Sequence, residues 1–171
     1  MFSALTALGC ENGTVAVTGH SLGSAVSVLA AFNLTASGSP WAVSRVYTYG
    51  QPRVGNVAFV DAVGARLQAA GSGVPYYRVV EYRDAVPHLP MHDMFREGWA
   101  HLAPEVYYHA TALGAYTVCT DAKDKRCSYQ WNMLQTLTHT CDHCSYLGMN
   151  PCDCKSEEPR CAEPHALAHA L

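Results

Sequence analysis

Apolar and β-branched residues gather in short runs, and glycine- and proline-bearing stretches separate them. Residues 14–19 (TVAVTG) form an apolar run ended by glycine and predict a strand. Residues 22–34 are rich in Ala, Val and Leu and predict a helix, broken by Ser37-Gly38-Ser39-Pro40. Residues 44–49 (SRVYTY) predict a second strand, followed by the turn Gly50-Gln51-Pro52-Arg53. A helix over 56–69 and a strand over 76–82 (YYRVVEY) come next. Strand, helix, strand, helix, strand in close succession predicts an α/β fold: a parallel sheet with helical crossovers.

The later pattern is less regular. Residues 83–103 read as a long loop rich in Pro, His and Met. Residues 105–109 and 115–120 predict two more strands, antiparallel neighbours, and the polar loop 121–126 follows. Residues 128–140 read as partly helical, and from Lys155 the chain is expected to be a tail without a core of its own. One domain over 1–154 and a flexible tail over 155–171 is the expected organisation.

Charge and composition narrow the classes. A net charge of −3, with no basic excess, argues against a nucleic-acid partner. No apolar run approaches the ~20 residues of a membrane-spanning helix. Eight cysteines, seven of them from Cys119 onward, suit an oxidising compartment. The sequons Asn12-Gly13-Thr14 and Asn33-Leu34-Thr35 fit the same picture. Residues 1–8 have no basic flank and too short an apolar stretch for a secretory leader.

The chemistry begins at Gly19-His20-Ser21-Leu22-Gly23, a G-x-S-x-G pentapeptide between a predicted strand and a predicted helix. In that setting the serine sits on a sharp, strained turn, and the flanking glycines are expected to remove side chains that would collide. The Leu22 N–H then faces the site as an oxyanion donor, worth roughly 3–4 kcal/mol in the transition state. A serine hydroxyl needs a base, and the base needs an acid to orient it. Chain order in such a fold is serine, acid, histidine. Asp84, two residues past the 76–82 strand, is the expected acid. His139 and His143 both follow the last predicted strand and both remain open as the base. His20 is expected to turn away from the Ser21 hydroxyl.

Three blocks carry a family likeness: Thr18-Gly19-His20-Ser21-Leu22-Gly23-Ser24-Ala25, Tyr47-Thr48-Tyr49-Gly50-Gln51-Pro52-Arg53-Val54-Gly55-Asn56 and Asp84-Ala85-Val86-Pro87-His88-Leu89-Pro90. With HLAPEVYY (101–108) and Asp142-His143-Cys144-Ser145-Tyr146-Leu147-Gly148-Met149-Asn150, they resemble successive blocks of the fungal class 3 lipases, a family that includes feruloyl esterases. The resemblance spans residues 10 to 152. It implies an α/β-hydrolase fold and carboxylic ester hydrolysis through an acyl-enzyme. It assigns Ser21 as nucleophile, Asp84 as acid and His143 as base, since the family's base precedes a Tyr by three positions. It implies an ester substrate (acylglycerol or aryl ester), a lipid–water interface, secretion and no cofactor or metal. It pairs Cys119 with Cys127, and it leaves Cys152 without its usual partner near the amino terminus.

The chain also departs from the family. Gly23-Ser24 stands where relatives commonly have two glycines. Family members carry several strands, a lid helix and a second oxyanion donor before the elbow, whereas Ser21 is already near the start here. Residues 1–12 resemble the end of the helix preceding the elbow strand. The expectation is a partial fold: a fragment, an incomplete gene model or an inactive remnant. The 14–19 strand, central in relatives, would have an open edge prone to self-association. Two competing readings use other chemistry. Zinc could be held by His139, Cys141, His143, Cys144, Cys152 and Cys154, or the fold could persist as a non-enzymatic interaction module.

Overall fold

Val46 and Thr48 alternate with Tyr47 and Tyr49 along one strand, and Tyr76 and Arg78 with Tyr77 along its neighbour. That period of two gives the sheet a covered face and a more open face. The computed structural model describes residues 2–8, 13–70, 73–92, 98–109 and 114–152. Its strands are β1 (Thr14–His20), β2 (Ala42–Tyr49), β3 (Gly55–Asn56), β4 (Tyr76–Glu81), β5 (Trp99–Ala100), β6 (Glu105–Tyr108) and β7 (Tyr116–Cys119). Its α-helices are α1 (Phe2–Ala7), α2 (Leu22–Leu34), α3 (Val57–Ala69) and α4 (Met133–Thr136).

The main sheet runs β1-β2-β4-β6-β7, with only the β6–β7 pair antiparallel. Helices α2 and α3 cross over between the parallel strands, as the sequence pattern predicts. Both pack on the face carrying Val17, Val46 and Tyr76, where Val28, Ala31, Leu34, Val63 and Leu67 complete the core. A second cluster of Val80, Tyr107, Cys119 and Cys127, with Trp131 against it, continues that face toward β7. The opposite face carries Tyr47 stacked on Tyr77 at 5.3 Å and Tyr108 beside Tyr116 at 5.7 Å. Its outer members Tyr116 and Val118 are exposed.

Arg78 and Glu105 face each other across β4 and β6, both buried, with Nη2 and Oε2 2.5 Å apart. The Ser128 N–H and hydroxyl also donate to Glu105, at 2.8 and 2.9 Å. These bonds satisfy both oxygens of the buried carboxylate, which would otherwise be costly to take out of water.

Several expectations change in detail. β2 starts two residues earlier than expected, because Ala42 pairs with Thr14 beyond a register shift at Val15/Ala16. β4 stops at Glu81, because Tyr82 adopts φ 34° and turns the chain. The expected loop 83–103 is not structureless. It holds a 3-10 turn at Val86–His88 and the short β5, which pairs antiparallel with β3. β1 is an edge strand among the described residues, with β2 as its one neighbour. The expected tail from Lys155 lies outside the described residues.

Cysteine chemistry settles into cross-links. Cys119 bonds Cys127 and Cys144 bonds Cys152. Cys141 is disulfide-bonded as well. The zinc reading is overturned on this point, since Cys141, Cys144 and Cys152 are spent as disulfides rather than held as thiolates. Cys154 lies outside the described residues.

Candidate active site

Ser21 occupies the sharp bend between β1 and α2, at φ 57° and ψ −131°. An L-residue there is strained by about 1–3 kcal/mol, so surrounding contacts must hold it. The Ser21 N–H bonds the Tyr49 carbonyl at 2.9 Å, tying the bend to the end of β2. Ser24, fully buried one helical turn on, reinforces this. Its hydroxyl lies 2.5 Å from the Gly19 carbonyl and 2.8 Å from the Tyr49 carbonyl, and it accepts the Tyr49 N–H at 3.1 Å. A glycine at 24 could make none of these bonds, so the departure at this position strengthens the bend.

The two flanking glycines are not equivalent. A Cβ on Gly19 would lie 2.4 Å from the Gly23 carbonyl oxygen and 2.5 Å from Ser27 Oγ. A Cβ on Gly23 would meet nothing within 4 Å. The expectation that both glycines avoid collisions therefore holds only at Gly19. Leu22 is the first residue of α2, so its N–H has no acceptor within the helix and is available at the helix end.

Asp84 and His143 come from distant parts of the chain. Asp84 follows β4 by three residues, and its N–H bonds the Glu81 carbonyl at 2.9 Å. His143 lies in the 3-10 turn Thr140–Cys144. His143 Nε2 is 2.8 Å from Ser21 Oγ, and His143 Nδ1 is 2.9 and 3.0 Å from the two oxygens of Asp84. Thus the sheet brings Ser21, Asp84 and His143 into one continuous hydrogen-bonded chain. His139, the other open candidate, is elsewhere: its Nε2 accepts from Arg83 Nη1 at 3.1 Å.

Asp84 is completely buried and fully bonded. The Val86 N–H donates to Oδ1 at 2.8 Å, and the Tyr146 hydroxyl donates to Oδ2 at 2.5 Å. Burial, with the Asp84 charge beside it, pushes the Tyr146 hydroxyl well above its usual range, so it stays a donor. The end of β2 leaves room for this pair. Gly50 sits at φ 58°, and a Cβ there would come within 2.8 Å of Asp84 Oδ2 and 2.9 Å of His143 Cε1. Both the backbone angle and the close approach demand glycine.

Further contacts lock the two loops. Arg53 Nη1 donates to the His88 and Pro90 carbonyls at 2.6 and 2.7 Å, and the Arg53 N–H donates to the Leu89 carbonyl at 2.7 Å. His101 Nε2 donates to the Pro87 carbonyl at 2.7 Å. On the histidine side, the Arg83 N–H bonds Asp142 at 3.2 Å, and the guanidinium lies 4.1 Å from the Trp131 ring centroid. Cys141 and Cys144, either side of His143, are both cross-linked. His20, expected to turn away from the Ser21 hydroxyl, places Nε2 2.7 Å from the His143 carbonyl and its ring 4.5 Å from the His143 ring.

Gly50, Arg53, Tyr146 and His20 were not marked as functional in the sequence. Gly50 and Arg53 read only as a turn, and Tyr146 only as a spacing marker. The signal available for Gly50 was a glycine directly after a β-rich run, at the same sheet end as the elbow.

The family model described as Lipase (class 3) matches residues 3–94. The chain is 39% identical over 139 residues to a lipase of Rhizomucor miehei, covering 80% of this chain and 35% of that one. It is 38% identical over 109 residues to secreted mono- and diacylglycerol lipase A of Penicillium camembertii, covering 64% of this chain and 31% of that one. The solved structure of lipase II from Rhizopus niveus superposes with a TM-score of 0.69 at 31% identity, over 87% of this chain and 52% of that one. A triacylglycerol lipase whose catalytic centre is described as a serine protease triad superposes with a TM-score of 0.65 at 33% identity, again over 87% and 52%. The chain thus spans about a third of its sequence relatives and about half of the solved chains. With the α/β-hydrolase fold shared with these lipases and a family match over more than half its length, the chain belongs to the class 3 lipase family.

Proposed function

We propose that this chain is the catalytic portion, within residues 1–154, of a secreted serine hydrolase that cleaves carboxylic esters of the acylglycerol class. The observation that carries the reading is the unbroken chain from Ser21 Oγ through the His143 ring to the Asp84 carboxylate. Ser21 is the nucleophile, His143 the base and Asp84 the buried acid. Leu22 N–H is the oxyanion donor.

The steps follow from that geometry. His143 Nε2 takes the Ser21 proton as Oγ attacks the ester carbonyl carbon. Electrons move onto the carbonyl oxygen, where the Leu22 N–H receives the charge. Collapse breaks the bond to the alcohol, which leaves with the proton from His143. Water then attacks the acyl-enzyme, with His143 again as base, releasing the carboxylic acid and restoring Ser21. Throughout, Asp84 holds the Nδ1–H tautomer and balances the imidazolium without itself taking the proton.

Apolar surface beside the nucleophile supports acylglycerols at a lipid–water interface over a polar ester. Leu22, Val26 and Leu29 recur at helical spacing on α2 and are 72%, 57% and 45% exposed. The five disulfide-bonded cysteines among the described residues support an oxidising, extracellular setting, and three relatives are named as secreted lipases. Hydrolysis of p-nitrophenyl butyrate by the purified chain tests the proposal. Turnover that vanishes in Ser21→Ala is expected; turnover unchanged in Ser21→Ala would overturn it.

A further inference from the structure

We infer that His20 is a positioning residue for the base: it grips the main chain of His143 and braces its ring, so that Nε2 stays in register with Ser21. The inference rests on the ester-hydrolase reading of the same site.

The geometry is a two-point clamp. His20 and Ser21 are consecutive at the end of β1, and both reach His143, more than a hundred residues away. The His20 Nε2–H donates to the His143 carbonyl at 2.7 Å, while the His143 Nε2 meets Ser21 Oγ at 2.8 Å. The two rings lie 4.5 Å apart and 30° from parallel, so His20 also covers one side of the imidazole. Tyr146, which bonds Asp84, stands edge-on to His20 at 5.4 Å. The base is therefore fixed by backbone, by ring contact and by Asp84 together. Its own element is a five-residue 3-10 turn anchored by the disulfides of Cys141 and Cys144, bonds that do not set the plane of the ring.

The charge state agrees. Bonding a carbonyl through Nε2 requires the proton on that nitrogen. Burial lowers the His20 pKa below its ordinary 6.5, and the hydrogen bond to the His143 carbonyl and the Asp84 charge offset this only in part. His20 is thus a neutral donor at neutral pH, and it places no positive charge against the imidazolium that forms during turnover.

Two substitutions separate positioning from mere filling. His20→Phe keeps a ring and loses the donor; His20→Gln keeps an N–H near the Nε2 position and loses the ring. With p-nitrophenyl butyrate, His20→Phe is expected to lower kcat on the order of 10- to 100-fold with KM within about twofold. His20→Gln is expected to recover kcat to within about fivefold of the parent, on the same positioning argument. The low-field proton resonance of His143 Nδ1–H should persist in the parent and in His20→Gln and broaden in His20→Phe. Unchanged kcat in His20→Phe, or equal losses in both variants that track lost thermal stability, would overturn the inference. If the parent chain itself shows no turnover, the hydrolase reading fails on its own. The resonance then still decides: broadening confined to His20→Phe supports positioning, and an unchanged signal contradicts it.

Discussion

Glu81 ends β4 almost wholly buried, with Oε2 unpartnered among the described residues and the carboxylates of Asp84 and Asp142 nearby. Desolvation, then the two carboxylates, raises its pKa from an ordinary 4.5 to about 8. Burial works in the other direction on histidines. His88 falls to about 4, His101 falls well below 6.5, and His20 is lowered. The stability consequences have opposite signs. Between pH 4.5 and 8 folded Glu81 keeps a proton that the unfolded chain releases, so its contribution falls as pH rises. Below pH 6.5 the unfolded histidines bind protons that the folded ones refuse, so their contribution falls as pH drops. Taken together these four groups place maximal stability near pH 6.5. Glu81→Gln is expected to match the parent's melting temperature at pH 5 and to exceed it at pH 9. Parallel melting profiles across that range would contradict the assignment. Asp84→Asn should leave the fold intact and cut turnover by roughly 10⁴-fold, as loss of the orienting carboxylate does in serine hydrolases generally.

At the scale of elements, the bend between β1 and α2 depends on Gly19 far more than on Gly23. Gly19→Ala must push backbone at Gly23 and the Ser27 hydroxyl, and is expected to destabilise by ~2 kcal/mol or more. Gly23→Ala meets open space and, near a helix start, should change stability by less than about 1 kcal/mol. Chemical denaturation of the two variants checks the contrast. The Cys119–Cys127 bridge closes an eight-residue separation between β7 and the turn before α4. Replacing both by serine should cost roughly 2–3 kcal/mol on a loop-entropy estimate.

For the whole molecule, the parallel character of the sheet was legible early. The runs at 14–19, 44–49 and 76–82 and the helices between them specified parallel strands, because each period matched one element. The candidate triad was also legible, since the elbow motif, the strand-end Asp84 and the family likeness around His143 supply three separate signals. What stayed hidden depends on distant packing. β5 is only Trp99–Ala100 and pairs with residues more than forty positions away, so no local period announces it. His20 reads as a motif filler until its ring is seen against His143. The Cys144–Cys152 bridge was one of many pairings that eight cysteines allow. The edge position of β1 also has a consequence for the molecule as a whole. Among the described residues, Thr14, Ala16 and Thr18 are exposed on a strand with one neighbour, a template for pairing with another chain. Light scattering should show apparent mass rising with concentration, and Ala16→Lys should reduce it.

Ester cleavage at this site requires that the Ser21 hydroxyl be activated by His143. The direct test is mass spectrometry of the purified chain after treatment with a fluorophosphonate, which phosphonylates only an activated serine. One adduct on the peptide containing Ser21, lost in Ser21→Ala and slowed on the order of 10³-fold or more in His143→Ala, is the predicted result. An adduct on a different residue, or none on a chain that is folded by circular dichroism, would contradict the account.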